Sequence, residues 1–388
     1  MADHREGGGR LPDLDLLRAL AVLLVLGRHV LEIPADLPAS VRSFWLAWNR
    51  FGWIGVDLFF TLSGFLVSGL LFREYAQSGT VRPLRFLIRR GLKIYPAFYV
   101  FLALSVAISA WAGLYGRPEW ARFSDVFPAP NPGRILGEIL FLQNYLSYLW
   151  GHTWSLAIEE HFYLGLAAVV AFFVWRRGGS ERVFSFVPPL VLTVAATLLL
   201  ARLTLGYVFH QSWWDILPPT HLRVDSLFYG VLLSYAYHLH RETVDFVQRH
   251  AGLLALATLL LLAPALVLHL ENPFMYTVGF TTLYLGFGNM ILLLRVGRFR
   301  GRDFLLRHLR VASYLGRHSY SIYLWHMPVY LWSLALVRAV WGRPVFWLEV
   351  SIYFVGTVLV GTGMSLLVEQ PVLRLRDRLF PSQSGQAR

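Results

Sequence analysis

Ten apolar stretches of about twenty residues follow one another along the chain, at roughly 14–31, 53–72, 94–113, 154–175, 187–205, 224–240, 251–270, 274–294, 311–337 and 345–368. A helix of that length matches the ~30 Å hydrocarbon core of a bilayer. Only a helix or a closed barrel satisfies its backbone there. The expected fold is therefore an all-α polytopic membrane protein with about ten transmembrane helices. Composition agrees, because only 15% of the residues are charged and 56% are hydrophobic, whereas soluble domains carry about 25% charge. There is no cysteine. A disulfide framework, a thiolate metal site and a cysteine nucleophile are thereby excluded.

The net charge of +12 raises nucleic acid as a partner, but the charges sort by membrane side. With the N-terminus inside, segments 1–13, 73–93, 176–186, 241–250, 295–310 and 369–388 hold 23 Lys and Arg, against 8 in the outer segments. That asymmetry explains the charge by topology, with both termini cytosolic and no nucleic-acid partner. The expected location is the cytoplasmic (inner) membrane, multi-pass. The first run carries its own arginine and histidine and is too long for a typical signal-peptide core, so no cleaved leader is expected. Stretch 135–150 is apolar enough to enter the bilayer. A full crossing there would put the arginines of 295–310 outside, so a re-entrant or interfacial segment is expected. The organisation reads as a cytosolic tail 1–13, one transmembrane domain 14–372 and a cytosolic tail 373–388, with Pro371 stopping the last helix.

The polar residues kept inside these runs carry the functional signal. Arg18 and His29 lie eleven residues apart, about three turns, on one face of the first run and roughly 16 Å apart along it. A charged side chain in a span is costly and usually faces a protein interior or a wet cavity. Asp57, near the outer end of the second run, either orients an imidazole or pairs with an arginine to hold two helices together. Arg89, Arg90 and Lys93 form a tight cationic group at a helix entrance, suited to phosphate oxygens. No glycine-rich nucleotide loop accompanies it.

The densest constellation runs from His152 through Thr153, Trp154, Ser155, Glu159, Glu160 and His161 to Tyr163. Two adjacent carboxylates at the start of a span are hard to explain as packing. A partly desolvated glutamate suits acid–base work. Glu159 shares a face with Tyr163 at four residues, and Glu160 at three. The spacing of His152, Glu159 and His161 fits no zinc motif, so no metal is expected. Arg223 and Asp225 are two apart and do not face each other on a helix, so each needs another partner. His326 lies deep in the ninth run, where a histidine satisfied by a carbonyl is the simplest explanation.

These blocks together resemble the acyltransferase-3 family of membrane-bound acyltransferases, which includes glycan O-acetyltransferases and macrolide acyltransferases. The resemblance runs through Leu14-Asp15-x-x-Arg18 to His29, GWIGVDLFFTLSGFL, RRxxKIYP, HTWSLAIEEHFYL, RVDSLFYG, YSIYLWH and VEQP. It implies an acyl-CoA donor, acetyl-CoA above all, and transfer to a hydroxyl of a carbohydrate or other small acceptor. The family's arginine–histidine pair falls on Arg18 and His29, its basic cluster on Arg89, Arg90 and Lys93, and its glutamate on Glu159 or Glu160. Leu16, Lys93 and His161 depart from the common Gly, Arg and Gln. The implied mechanism uses His29 as general base or acyl carrier, oriented by Glu159 or Glu160 with Asp57, while Arg18 steadies the donor or the oxyanion. The rival reading is a transporter or flippase with a polar path and no chemistry, although no inverted repeat is visible. Oligomeric state is left open, a homodimer included.

Overall fold

The structure is a computed structural model that describes residues 12–30, 32–114, 131–177, 183–297 and 309–381. The ends of both tails, residues 115–130 and the arginines of 298–308 lie outside the described residues. All regular structure among the described residues is helical. In chain order the helices are α1 (Pro12–Arg28), α2 (Ala39–Phe51), α3 (Ile54–Ser78), α4 (Pro83–Leu114), α5 (Pro132–Ile139), α6 (Trp154–Arg177), α7 (Val187–Leu203), α8 (Trp213–Ile216) and α9 (Asp225–Leu239). They continue as α10 (Glu242–Arg249), α11 (Ala251–Val267), α12 (Phe280–Val296), α13 (Arg310–Arg317), α14 (Ser319–Trp341), α15 (Phe346–Met364) and α16 (Gln370–Leu379).

Helices occupy all ten apolar runs. Among the described residues six are long and apolar enough to cross a bilayer on their own, and α10 with α11, bent by 79°, makes a seventh if counted as one span. The first and sixth runs form helices of 17 and 15 residues, about 26 and 23 Å long and shorter than the apolar core. The ninth run is not one helix, because it breaks at His318 between α13 and α14. Nor does Pro371 stop the last helix. A π-helical turn at Ser365–Glu369 precedes it, and Pro371 falls in the first turn of α16, which runs to Leu379.

Helix α1 sits in the middle, packed against α2, α3, α12, α13 and α14. Leu14, Leu17, Ala21, Val22, Val25 and Leu26 are all buried. Helices α3 and α9 approach through two glycines. A Cβ at Gly64 would collide with the carbonyl of Leu227, and one at Gly230 with the carbonyl of Thr61. Stretch 135–150 is no spanning helix. It is α5 followed by turns, with Leu136, Leu140, Tyr145 and Leu146 exposed. Glu138 tethers it from beneath, accepting from the backbone of Leu149 at 3.0 Å and Trp150 at 3.2 Å and from the hydroxyl of Thr153 at 2.9 Å.

Candidate active site

Three cavities lie end to end through the helices. The first is basic. Arg85, Arg89 and Lys93 recur at four-residue spacing on α4 and share a face, with Arg90 beside them. Pro83 opens this helix early, so the cluster is helical and not part of a loop. The cluster borders a cavity of about 300 Å³ with Arg18 and Arg376. The C-terminal end of the described chain reaches the same place. Arg85 donates to the carbonyl of Pro381 and Arg89 to that of Phe380. Arg89 also pairs with Asp377 at 3.1 Å.

Arg18, Leu66, Arg90 and Lys93 also line the second cavity, of about 100 Å³. Arg18 is held by Asp15 at 2.7 Å. Among the described residues neither Arg90 nor Lys93 is ion-paired, and Arg90 lies 5.5 Å over the ring of Tyr163. The same cavity carries a chain of short hydrogen bonds. The hydroxyls of Ser63 and Tyr163 meet at 2.6 Å, and Tyr163 donates to Glu159 at 2.6 Å. Glu159 and Glu160 therefore differ in place. Glu159 lines this cavity, whereas Glu160 points elsewhere and accepts from Tyr95 at 2.9 Å.

Val56 and Tyr323 pass from the second cavity into the third, of about 230 Å³. His29, Asp57, His152, Trp154 and Arg223 line it, with Trp53, Trp213 and Trp214. His29 sits just past α1, in a tight turn whose amide donates to Leu26 at 3.2 Å. Its Nδ1 is 2.9 Å from the Val25 carbonyl and 3.2 Å from Nε2 of His326. His152 stands edge-on to His326, ring centres 4.8 Å apart. Ser155 and Tyr323 share a hydrogen bond of 2.6 Å, and Tyr323 donates to the carbonyl of His152 at 2.7 Å.

The carboxylate expected against His29 is not there. Asp57 shares the cavity, but its Oδ1 is taken by Arg223 at 2.7 Å in a buried pair. Glu159 belongs to the second cavity. Arg223 and Asp225 each have a separate partner, as their spacing demanded. That of Asp225 is Arg202, at 2.8 Å and fully buried. Arg223 also lies 3.4 Å over the ring of Phe280. Arg202 and Tyr323 were not picked out by sequence reasoning. An arginine inside the apolar run 187–205 was the available signal for the first. For the second it was a tyrosine three residues, nearly one turn, before His326. No group of three His, Asp or Glu among the described residues is placed to hold a metal ion.

Comparison with known proteins gives the family. Residues 11–366 match the model of the acyltransferase-3 family, described as an acyltransferase domain. The chain is 27% identical to the peptidoglycan O-acetyltransferase OatA of Listeria monocytogenes over 82% of its own length and 49% of that protein. It is 25% identical to O-acetyltransferase OatA of Staphylococcus aureus over 97% of its length and 60% of the relative. With the putative peptidoglycan O-acetyltransferase YrhL of Bacillus subtilis the figures are 27%, 95% and 56%. The chain thus spans about half to three-fifths of the length of these curated relatives. No solved structure matches it. With a family model covering nearly all of the helical body, this chain belongs to the acyltransferase-3 family.

Proposed function

We propose that the protein is a membrane O-acyltransferase that moves an acetyl or other short acyl group from acyl-CoA to a carbohydrate hydroxyl. The relatives named as peptidoglycan O-acetyltransferases make a cell-wall glycan the first acceptor to try. One observation carries the reading. A lined path runs from a cationic cluster to a histidine pair, since Arg18, Arg90 and Lys93 border both the first and second cavities and Tyr323 borders the second and third.

In this reading the ten apolar runs form one domain in the cytoplasmic membrane with both termini in the cytosol. Donor phosphates dock on Arg89, Arg90 and Lys93, where guanidinium forks suit their oxygens. The pantetheine arm passes Arg18 and Glu159 towards His29. The acceptor enters the third cavity from the opposite side, against the tryptophans. His29 takes the proton of the acceptor hydroxyl as its oxygen bonds to the thioester carbonyl carbon. The carbon–sulfur bond then breaks, and the CoA thiolate receives that proton, leaving an ester and free CoA. Asp57 with Arg223 and Ser155 with Tyr323 keep the walls in register. A positioned base of this kind supplies about 10²–10⁴-fold.

The test is radiolabelled acetyl-CoA given to the purified full chain in nanodiscs with soluble peptidoglycan fragments. Acetylated product is expected from the wild type and none from His29→Ala, with the variant still folded. Wild-type turnover by that variant would defeat the assignment. Uptake of label by the same chain reconstituted in sealed vesicles, without ester formation, would point to transport.

A further inference from the structure

Three imidazoles meet at the end of the path, and none of them touches a carboxylate among the described residues. Their carbonyl partners nevertheless fix where the protons lie. His326 is fully buried on α14, with its Nδ1 against the carbonyl of Tyr323. A carbonyl only accepts, so Nδ1 carries the hydrogen. A buried imidazolium with no counter-ion is too costly, so the ring is neutral and its Nε2 holds a lone pair. That Nε2 is the atom 3.2 Å from Nδ1 of His29. The Nδ1 of His29 also faces the Val25 carbonyl at 2.9 Å. Both of its neighbours are acceptors, so it must be the protonated nitrogen.

Helix α14 creates this arrangement through Pro328. Proline has no N–H, so the carbonyl of Leu324, four residues earlier, loses its helical donor. His152 supplies the replacement, with Nε2 3.1 Å from that oxygen. The same turn therefore anchors both His152 and His326, and places one ring beside the other.

We infer that His326 is the positioning residue for His29. Together with the Val25 carbonyl it holds His29 as the Nδ1–H tautomer and leaves Nε2 as the reacting nitrogen. When Nε2 accepts a proton, the Nδ1–H···Nε2 bond to His326 becomes charge-assisted and strengthens. His326 thus performs the orienting role that a carboxylate performs in a Ser-His-Asp triad, without bringing a negative charge into the interior. The inference rests on the reading of His29 as the base.

Two variants and two readouts test it. His326→Ala removes the acceptor, and His326→Gln offers an amide oxygen in its place. With acetyl-CoA and soluble peptidoglycan fragments, the Ala variant is expected to lose at least 100-fold in kcat with KM for acetyl-CoA unchanged. The Gln variant is expected to recover at least tenfold of that loss. Independently of turnover, diethyl pyrocarbonate labels the unprotonated Nε2. Labelling of His29 at pH 7, read by peptide mass spectrometry against exposed His250, is expected to slow several-fold in the Ala variant and not in the Gln variant. Wild-type kcat in His326→Ala, a Gln variant as poor as the Ala variant, or unchanged labelling would each overturn the inference. A wild type without transfer activity whose labelling still depends on His326 would defeat the proposed function alone.

Discussion

Arg223 is a side chain whose value can be read from its surroundings. It and Asp57 are each 1% exposed in the ion pair, and the guanidinium also covers the ring of Phe280. Removing one partner of such a pair leaves a buried charge uncompensated, at about 3–5 kcal/mol. Arg223→Ala is therefore expected to lower the unfolding midpoint sharply in a detergent melt. Asp57→Leu combined with Arg223→Met should recover most of the loss, because a well-packed apolar pair often replaces a buried ion pair at little cost. Failure of the double variant to recover would mean that Asp57 does more than hold α3 to the loop before α9. That requirement for partners was legible in the sequence at Arg223 and Asp225. Their identities were not, because Asp57 and Arg202 lie far away along the chain.

At the scale of an element, the α3–α9 contact is set by the absence of side chains. Gly64→Ala places a methyl against the Leu227 carbonyl, and backbone cannot swing aside as a side chain can. Overpacking of this kind costs about 1–3 kcal/mol. Gly165 on α6 is the control, since a Cβ there meets nothing within 4 Å. Gly165→Ala is expected to be neutral or to stabilise by up to about 1 kcal/mol, as alanine is the better helix former. A thermal melt of the two variants side by side checks both, and equal midpoints would contradict the packing argument. Element boundaries were less legible than element existence. The length and apolarity of the runs located ten helical stretches, but the break at His318 and the continuation past Pro371 depend on local π-turn and capping geometry that hydropathy does not register.

For the whole molecule, the question is where the two ends of the path draw their residues. The basic end is assembled from α1, α3, α4 and α16, the last reaching it only because the chain stays helical beyond Pro371. Donor binding at that end is expected to be electrostatic. Raising salt from about 0.05 to 0.5 M shortens the Debye length from roughly 14 to 4 Å, so the Kd for acetyl-CoA should rise several-fold by calorimetry. Arg89→Gln with Arg90→Gln should raise Kd by at least tenfold and flatten that salt dependence. Donor affinity indifferent to both would mean that these arginines serve membrane topology alone. Arg376→Gln is expected to act in the same direction with a smaller effect, because Asp377 already shares its charge at 2.8 Å.

The sequence by itself determined that the chain is helical and membrane-embedded, which polar residues it keeps within its spans, and which seven blocks tie it to its family. Those properties follow from local composition and spacing, and each residue carries them wherever the helices pack. Tertiary structure alone decided which polar groups meet. It set His29 beside His326 instead of a carboxylate, turned Glu159 into the path and Glu160 out of it, and gave Asp57 to Arg223. The physical reason is that the rotation of each helix about its own axis is fixed by its neighbours. A residue's position in the chain says which side of its own helix it occupies, but not which other helix that side will face.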